Sequence, residues 1–127
     1  MNGFLLAAAT LACLGGIAHS FFGERLIFKT LCHQHLPTLR DSTHLTLCVL
    51  RFFWHVASIV WWGLAAQLVS LGAQGALSPL SFRIGVIIAL IFSVTAIFSL
   101  VLTRARFRPA IILWAVAICV WLGLLGG

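Results

Sequence analysis

The stretch HLTLCVLRFFWHVASIVWWGLAAQLVSL, residues 44–71, decides the fold. It is longer than the roughly 20 apolar residues a helix needs to cross a bilayer, and its interior carries one full charge, Arg51. Its special residues are spaced regularly. His44, Cys48, Arg51, His55, Ser58 and Trp62 follow alternating steps of four and three, which keeps them on one face of a helix. The remaining positions are mostly Leu, Val, Phe, Ile and Trp. An ionisable group exposed to hydrocarbon is costly, so the face with Arg, His and Ser turns toward neighbouring helices.

Three more apolar runs surround this one. The expected spans are about 3–28, 44–71, 82–103 and 109–125. The whole chain has 127 residues, 62% of them hydrophobic and 8% charged, with a mean hydropathy of +1.15. A soluble domain of this size carries far more polar surface. The fold class expected is therefore all-α integral membrane, a single antiparallel bundle of four transmembrane helices with the lipid bilayer as its surroundings. The apolar N-terminal run lacks a positive flank and continues well past Cys13, so it reads as a retained helix rather than a cleaved signal. On this helix Ala8, Ala12, Gly15, Gly16 and Gly23 mark a small-residue contact face.

The net charge of +6 comes from eight Lys and Arg against Glu24 and Asp41. It reads as topology, not as nucleic-acid binding. Arg25, Lys29, Arg40, Arg104, Arg106 and Arg108 fall on two connections that share one side of the membrane, and the other side has only Arg83. The basic loops are expected in the cytoplasm and both termini outside. Trp61, Trp62 and Trp121 then approach the outer interface, where tryptophan is common. Asp41, Ser42 and Thr43 suit a helix N-cap, and Pro109 suits the first turn of the last span. Cys13, Cys32, Cys48 and Cys119 lack zinc-ribbon or CxxC spacing.

Polar residues of the first two runs show a second pattern. In an antiparallel hairpin, residues at equal depth have position numbers of constant sum. His19 and His55 sum to 74, and Glu24 and Arg51 sum to 75. One register thus sets a histidine level with a histidine and a carboxylate level with a guanidinium. His19 and Glu24 are five apart, about 140° round an α-helix, so a bend at Gly23 or a long reach by Glu24 is needed to bring both to one site.

Three chemistries suit this set. His19 and His55, with Glu24 as third ligand, could hold a transition metal or clamp a b-type haem. Arg51, Ser58 and Cys48 would support them. Histidine and glutamate also form proton relays in membranes. A polar lock between helices is the plainest alternative. A weaker metal candidate is Cys32, His33 and His35, completed by His44. A P-loop, GxSxG, HExxH and Rossmann fingerprint are all absent from the sequence. Two acidic residues are too few for a carboxylate-bridged di-iron site.

The segments Ala18-His19-Ser20, Gly23-Glu24-Arg25, Leu50-Arg51-Phe52 and Trp54-His55 resemble a group of small bacterial inner-membrane proteins with four predicted helices and no assigned activity. The likeness is best over residues 15–65. It implies a fold and an inner-membrane location, and no substrate or cofactor. Three functions therefore stand at this stage: a metal- or haem-binding membrane protein, an accessory subunit of a larger membrane complex, and a homo-oligomeric transporter or channel for protons or a small solute.

Overall fold

A computed structural model describes residues 1–32, 38, 42–74, 76–104 and 110–126. These form four helices: α1 Gly3–Leu31, α2 Thr43–Ala73, α3 Pro79–Thr103 and α4 Ala110–Leu125. The first three, of 29, 31 and 25 residues, are long and apolar enough to cross a membrane. The 16 residues of α4 extend only about 24 Å, short of a hydrocarbon core of about 30 Å. Its expected first residue, Pro109, lies outside the described residues.

Side-chain caps set the helix starts. Asn2 Oδ1 accepts from the amides of Phe4 and Leu5, and Ser42 Oγ accepts from Leu45 N. Helix α3 begins a turn earlier than hydropathy alone placed it. Ser78 caps it through Ser81 N, and Pro79 follows at the first helical position, where its missing N–H leaves nothing unpaired. Ser81 Oγ also donates to Gln74 Oε1, which ties α3 back to the end of α2.

Helix α1 packs between α2 and α4, and α3 packs on α4 while touching α2 sparsely. Helices α1 and α2 run antiparallel in one register along their whole contact. Asn2 N donates to Gly72 O at one end, and Glu24 meets Arg51 near the other. Those pairs sum to 74 and 75. Asn2 also donates from Nδ2 to Gly123 O at 2.6 Å, so one residue joins the start of α1 to the ends of α2 and α4. Asn2→Ala is expected to lower stability by about 1–2 kcal/mol through the lost cap and the orphaned carbonyl. Asn2→Asp, which keeps the cap and loses the amide donor, should fall between. Unfolding in mixed micelles, followed by the helical circular-dichroism signal, checks the order.

The small-residue face of α1 is buried as a set: Ala8, Ala12, Gly15, Gly16 and Gly23. Its glycines receive indoles from α2. A Cβ at Gly15 would come 2.7 Å from the Trp61 ring, and one at Gly16 equally close to Trp62 Nε1. At Gly23 a Cβ would overlap the indole of Trp54. Two of these indoles also donate to α1 carbonyls, Trp54 to His19 O at 3.0 Å and Trp62 to Cys13 O at 3.3 Å. Trp61 lies edge-on to Phe92 of α3, and Trp121 donates to Ser93 Oγ. Trp61, Trp62 and Trp121 thus also take part in helix packing, the first two because glycines opposite them leave room for an indole. The outward faces are apolar: Phe52, Phe53, Val94, Phe98, Val101 and Ile111 are each more than 60% exposed.

Candidate functional site

Helix α1 changes its winding where the polar residues begin. Residues Gly23–Phe28 form a π-helix, closed by Lys29 N donating to Glu24 O. Gly23 and Phe28 are both buried although five residues apart, a spacing that an α-helix would splay by about 140°. The wider turn puts them on one side, against Trp54. Phe28 meets the Trp54 ring edge-on at 5.8 Å, and the Arg51 guanidinium lies over Phe28 at 5.5 Å. Single π turns of this kind recur at functional sites.

Six side chains join across the α1–α2 contact in one unbroken series. His19 Nδ1 lies 3.0 Å from Ser58 Oγ. Ser20 Oγ donates to Ser58 Oγ at 2.8 Å and lies 3.0 Å from His55 Nδ1. His55 Nε2 lies 3.0 Å from Glu24 Oε1, and Arg51 Nη2 lies 3.2 Å from Glu24 Oε2. The expected ion pair forms directly. The two histidines lie at one level but do not meet, because two serines stand between them. The five-residue offset of His19 and Glu24 is thereby accounted for: Glu24 is four residues from Ser20, on the side His55 occupies, and His19 points the other way.

The series runs through the hairpin from one face to the other. His55 is seven residues from Trp62, on the outer ridge of α2. Trp54, stacked on His19 with ring centroids 4.2 Å apart and planes 5° apart, is seven residues from Trp61. That ring reaches Gly15 of α1 and Phe92 of α3. Ser58, between the two ridges, is 1% exposed. Arg51, Glu24 and His55 remain open on the outer side, at 43%, 39% and 39% of their side-chain surface.

Counting donors leaves two arrangements that satisfy every link. In the first, Ser20 donates to Ser58, Ser58 donates to His19 Nδ1, and His55 donates from both nitrogens, to Ser20 and to Glu24. In the second, both hydroxyls are turned: His19 Nδ1 donates to Ser58, Ser58 to Ser20 and Ser20 to His55 Nδ1, while His55 Nε2 still donates to Glu24.

Other expected site residues fall elsewhere. Cys48 is exposed, its sulfur 3.7 Å from His44 Nδ1 and 3.8 Å from Nε2, and it takes no part in the series. Cys32 is exposed at the end of α1, and His33 and His35 lie outside the described residues. Among the described residues no three His, Cys, Asp or Glu side chains converge as a metal would need. His55 has both nitrogens engaged, so a metal or haem iron would take it only by displacing Ser20 or Glu24. Two members of the site went unrecognised in the sequence, Ser20 and Trp54. The first was open to the same arithmetic, since Ser20 and His55 sum to 75.

Comparison with known proteins adds no relative: no family model, curated protein or solved structure matches the chain.

Proposed function

We propose that this is a small multi-pass membrane protein whose opening hairpin relays protons between one surface of the bilayer and its middle. The basic residues flanking the ends of α1 and α3 favour a cytoplasmic location for those ends, with both termini outside. The resemblance noted above favours a bacterial inner membrane. Three full spans with the shorter apolar α4 packed against α1 and α3 are the arrangement in which the exposed apolar faces meet lipid and the polar series stays between helices.

Depth supports the direction of the relay. Glu24 lies about 10 Å along α1 from Leu31, and His19 about 18 Å. The series therefore runs from within the cytoplasmic half to about the middle of a core about 30 Å thick. Beyond His19 the contact between α1 and α2 is filled by Gly15, Gly16 and the Trp61 and Trp62 rings, which carry no proton onward. A proton reaching His19 is handed to, or taken from, a group in the bilayer interior. The carrying observation is the unbroken set of links between two imidazoles, each 2.8–3.0 Å long, the distance at which a proton can pass along hydroxyls.

The test is imidazole ¹⁵N resonance of the protein in bilayers. Proton exchange of His19 with the bulk should slow by about 100-fold in Ser58→Ala, while Ser58→Thr, which keeps the hydroxyl, should resemble the wild type. Equal exchange in Ser58→Ala and wild type would rule the relay out. A second reading, an accessory subunit or homo-oligomer, is favoured by one observation: Arg51, Glu24 and His55 are open on the outer face of the hairpin. A charged group in this position is usually covered by protein. Purification in mild detergent as a lone monomer under every condition would count against it.

A further inference from the structure

Within the relay reading, we infer that Trp54 is the positioning residue that makes His19 a proton station. Its indole does three things at once. The face lies parallel to the His19 ring at 4.2 Å. The indole N–H donates to the carbonyl of that same residue. Phe28 packs perpendicular to the ring, and Gly23 vacates the space that the indole needs. The acceptor that this indole N–H takes is the backbone of the very residue whose ring it covers, so one side chain fixes both the main chain and the ring plane of His19.

The transfer balances without any outside reactant. Starting from the arrangement in which His55 donates from both nitrogens, the N–H bond at His55 Nδ1 breaks and an O–H bond forms at Ser20 Oγ. Ser20 passes its own hydrogen to Ser58 Oγ, and Ser58 passes its hydrogen to the lone pair on His19 Nδ1. His55 ends neutral with a proton on Nε2, and His19 ends as imidazolium with both nitrogens protonated. The total charge is unchanged and both hydroxyls have reversed. In the starting state the positive ring sits beside Glu24. In the final state it is the indole face that meets the new cation, and such a face attracts imidazolium as it does other cations. Among the described residues the charged groups facing the series are Glu24, Arg51 and His55. Helix α3 carries only Arg83, at its far end, and α4 carries no charged side chain.

The experiment replaces Trp54 with tryptophans of increasing ring fluorination in the full-length protein in bilayers. Shape, packing and the indole N–H are retained while the ring face loses its negative potential. Exchange of the proton between the His55 and His19 nitrogens, read from ¹⁵N line shapes, should fall progressively by about threefold to thirtyfold across the series. A flat series overturns the inference. Trp54→Phe, which retains a weaker aromatic face, should lie within the range, and exchange as fast as wild type in Trp54→Leu would also overturn it. Ser58→Ala keeps the two proposals apart. If it slows His19 and fluorination does not, the relay stands and Trp54 only packs. If it leaves His19 unchanged, the relay itself fails.

Discussion

Glu24→Leu is expected to lower the stability of the membrane-reconstituted protein by about 3 kcal/mol, and Glu24→Leu combined with Arg51→Leu to recover most of that loss. The asymmetry follows from what each variant leaves behind. The single change strips Arg51 of its carboxylate and removes the acceptor for His55 Nε2. The guanidinium cannot shed its charge, and its Nε is already buried without a hydrogen-bond partner among the described residues. The double change leaves two apolar side chains, and His55 remains bonded to Ser20. A double-mutant cycle in mixed micelles measures the difference. The size of the loss also reports the surroundings. Near two-fifths of each side chain is open, and an ion pair that open to water contributes under about 1 kcal/mol. A loss that small would place the pair in water and overturn the membrane placement on which the relay depends.

The level of each polar residue was legible in the sequence, because position sums in an antiparallel hairpin depend on rise alone. Rotation about the helix axis was not. The sum of 74 for His19 and His55 sets them at one depth, yet says nothing of which side of the hairpin each occupies. Of the serines that join them, Ser58 stands out on the polar stripe of α2, but Ser20 has no such pattern around it and looks like a neutral contact position. The π-helix was illegible for a related reason: periodicity assumes 100° per residue, and one wider turn rotates everything after it. Gly23 reads from the sequence as a small contact residue and as a place where the helix can bend. Its partner was not foreseen, because tryptophan in an apolar run is ordinarily read from membrane-interface statistics. Gly15 with Trp61, Gly16 with Trp62 and Gly23 with Trp54 sum to 76, 78 and 77, and that near-constancy was the available signal.

These glycine–tryptophan contacts make the sign of a simple substitution informative. Gly→Ala in a helix interior ordinarily stabilises by up to about 1 kcal/mol. Gly63 of α2 meets that condition, since a Cβ there would touch nothing within 4 Å, and Gly63→Ala should raise stability. Gly23→Ala should do the opposite, by about 2 kcal/mol, because its Cβ falls on an indole held on three sides. That indole cannot simply withdraw: it is stacked on His19, bonded to His19 O and braced by Phe28. The same overlap would tilt the stacked ring and lengthen the link between His19 and Ser58, so the stability loss should be accompanied by slower His19 exchange. Trp54→Ala in the Gly23→Ala background removes the obstacle, and the two changes together should cost less than the sum of their separate effects. Additive losses would mean that Gly23 and Trp54 act independently, and the glycine would then have no part in holding the ring against His19.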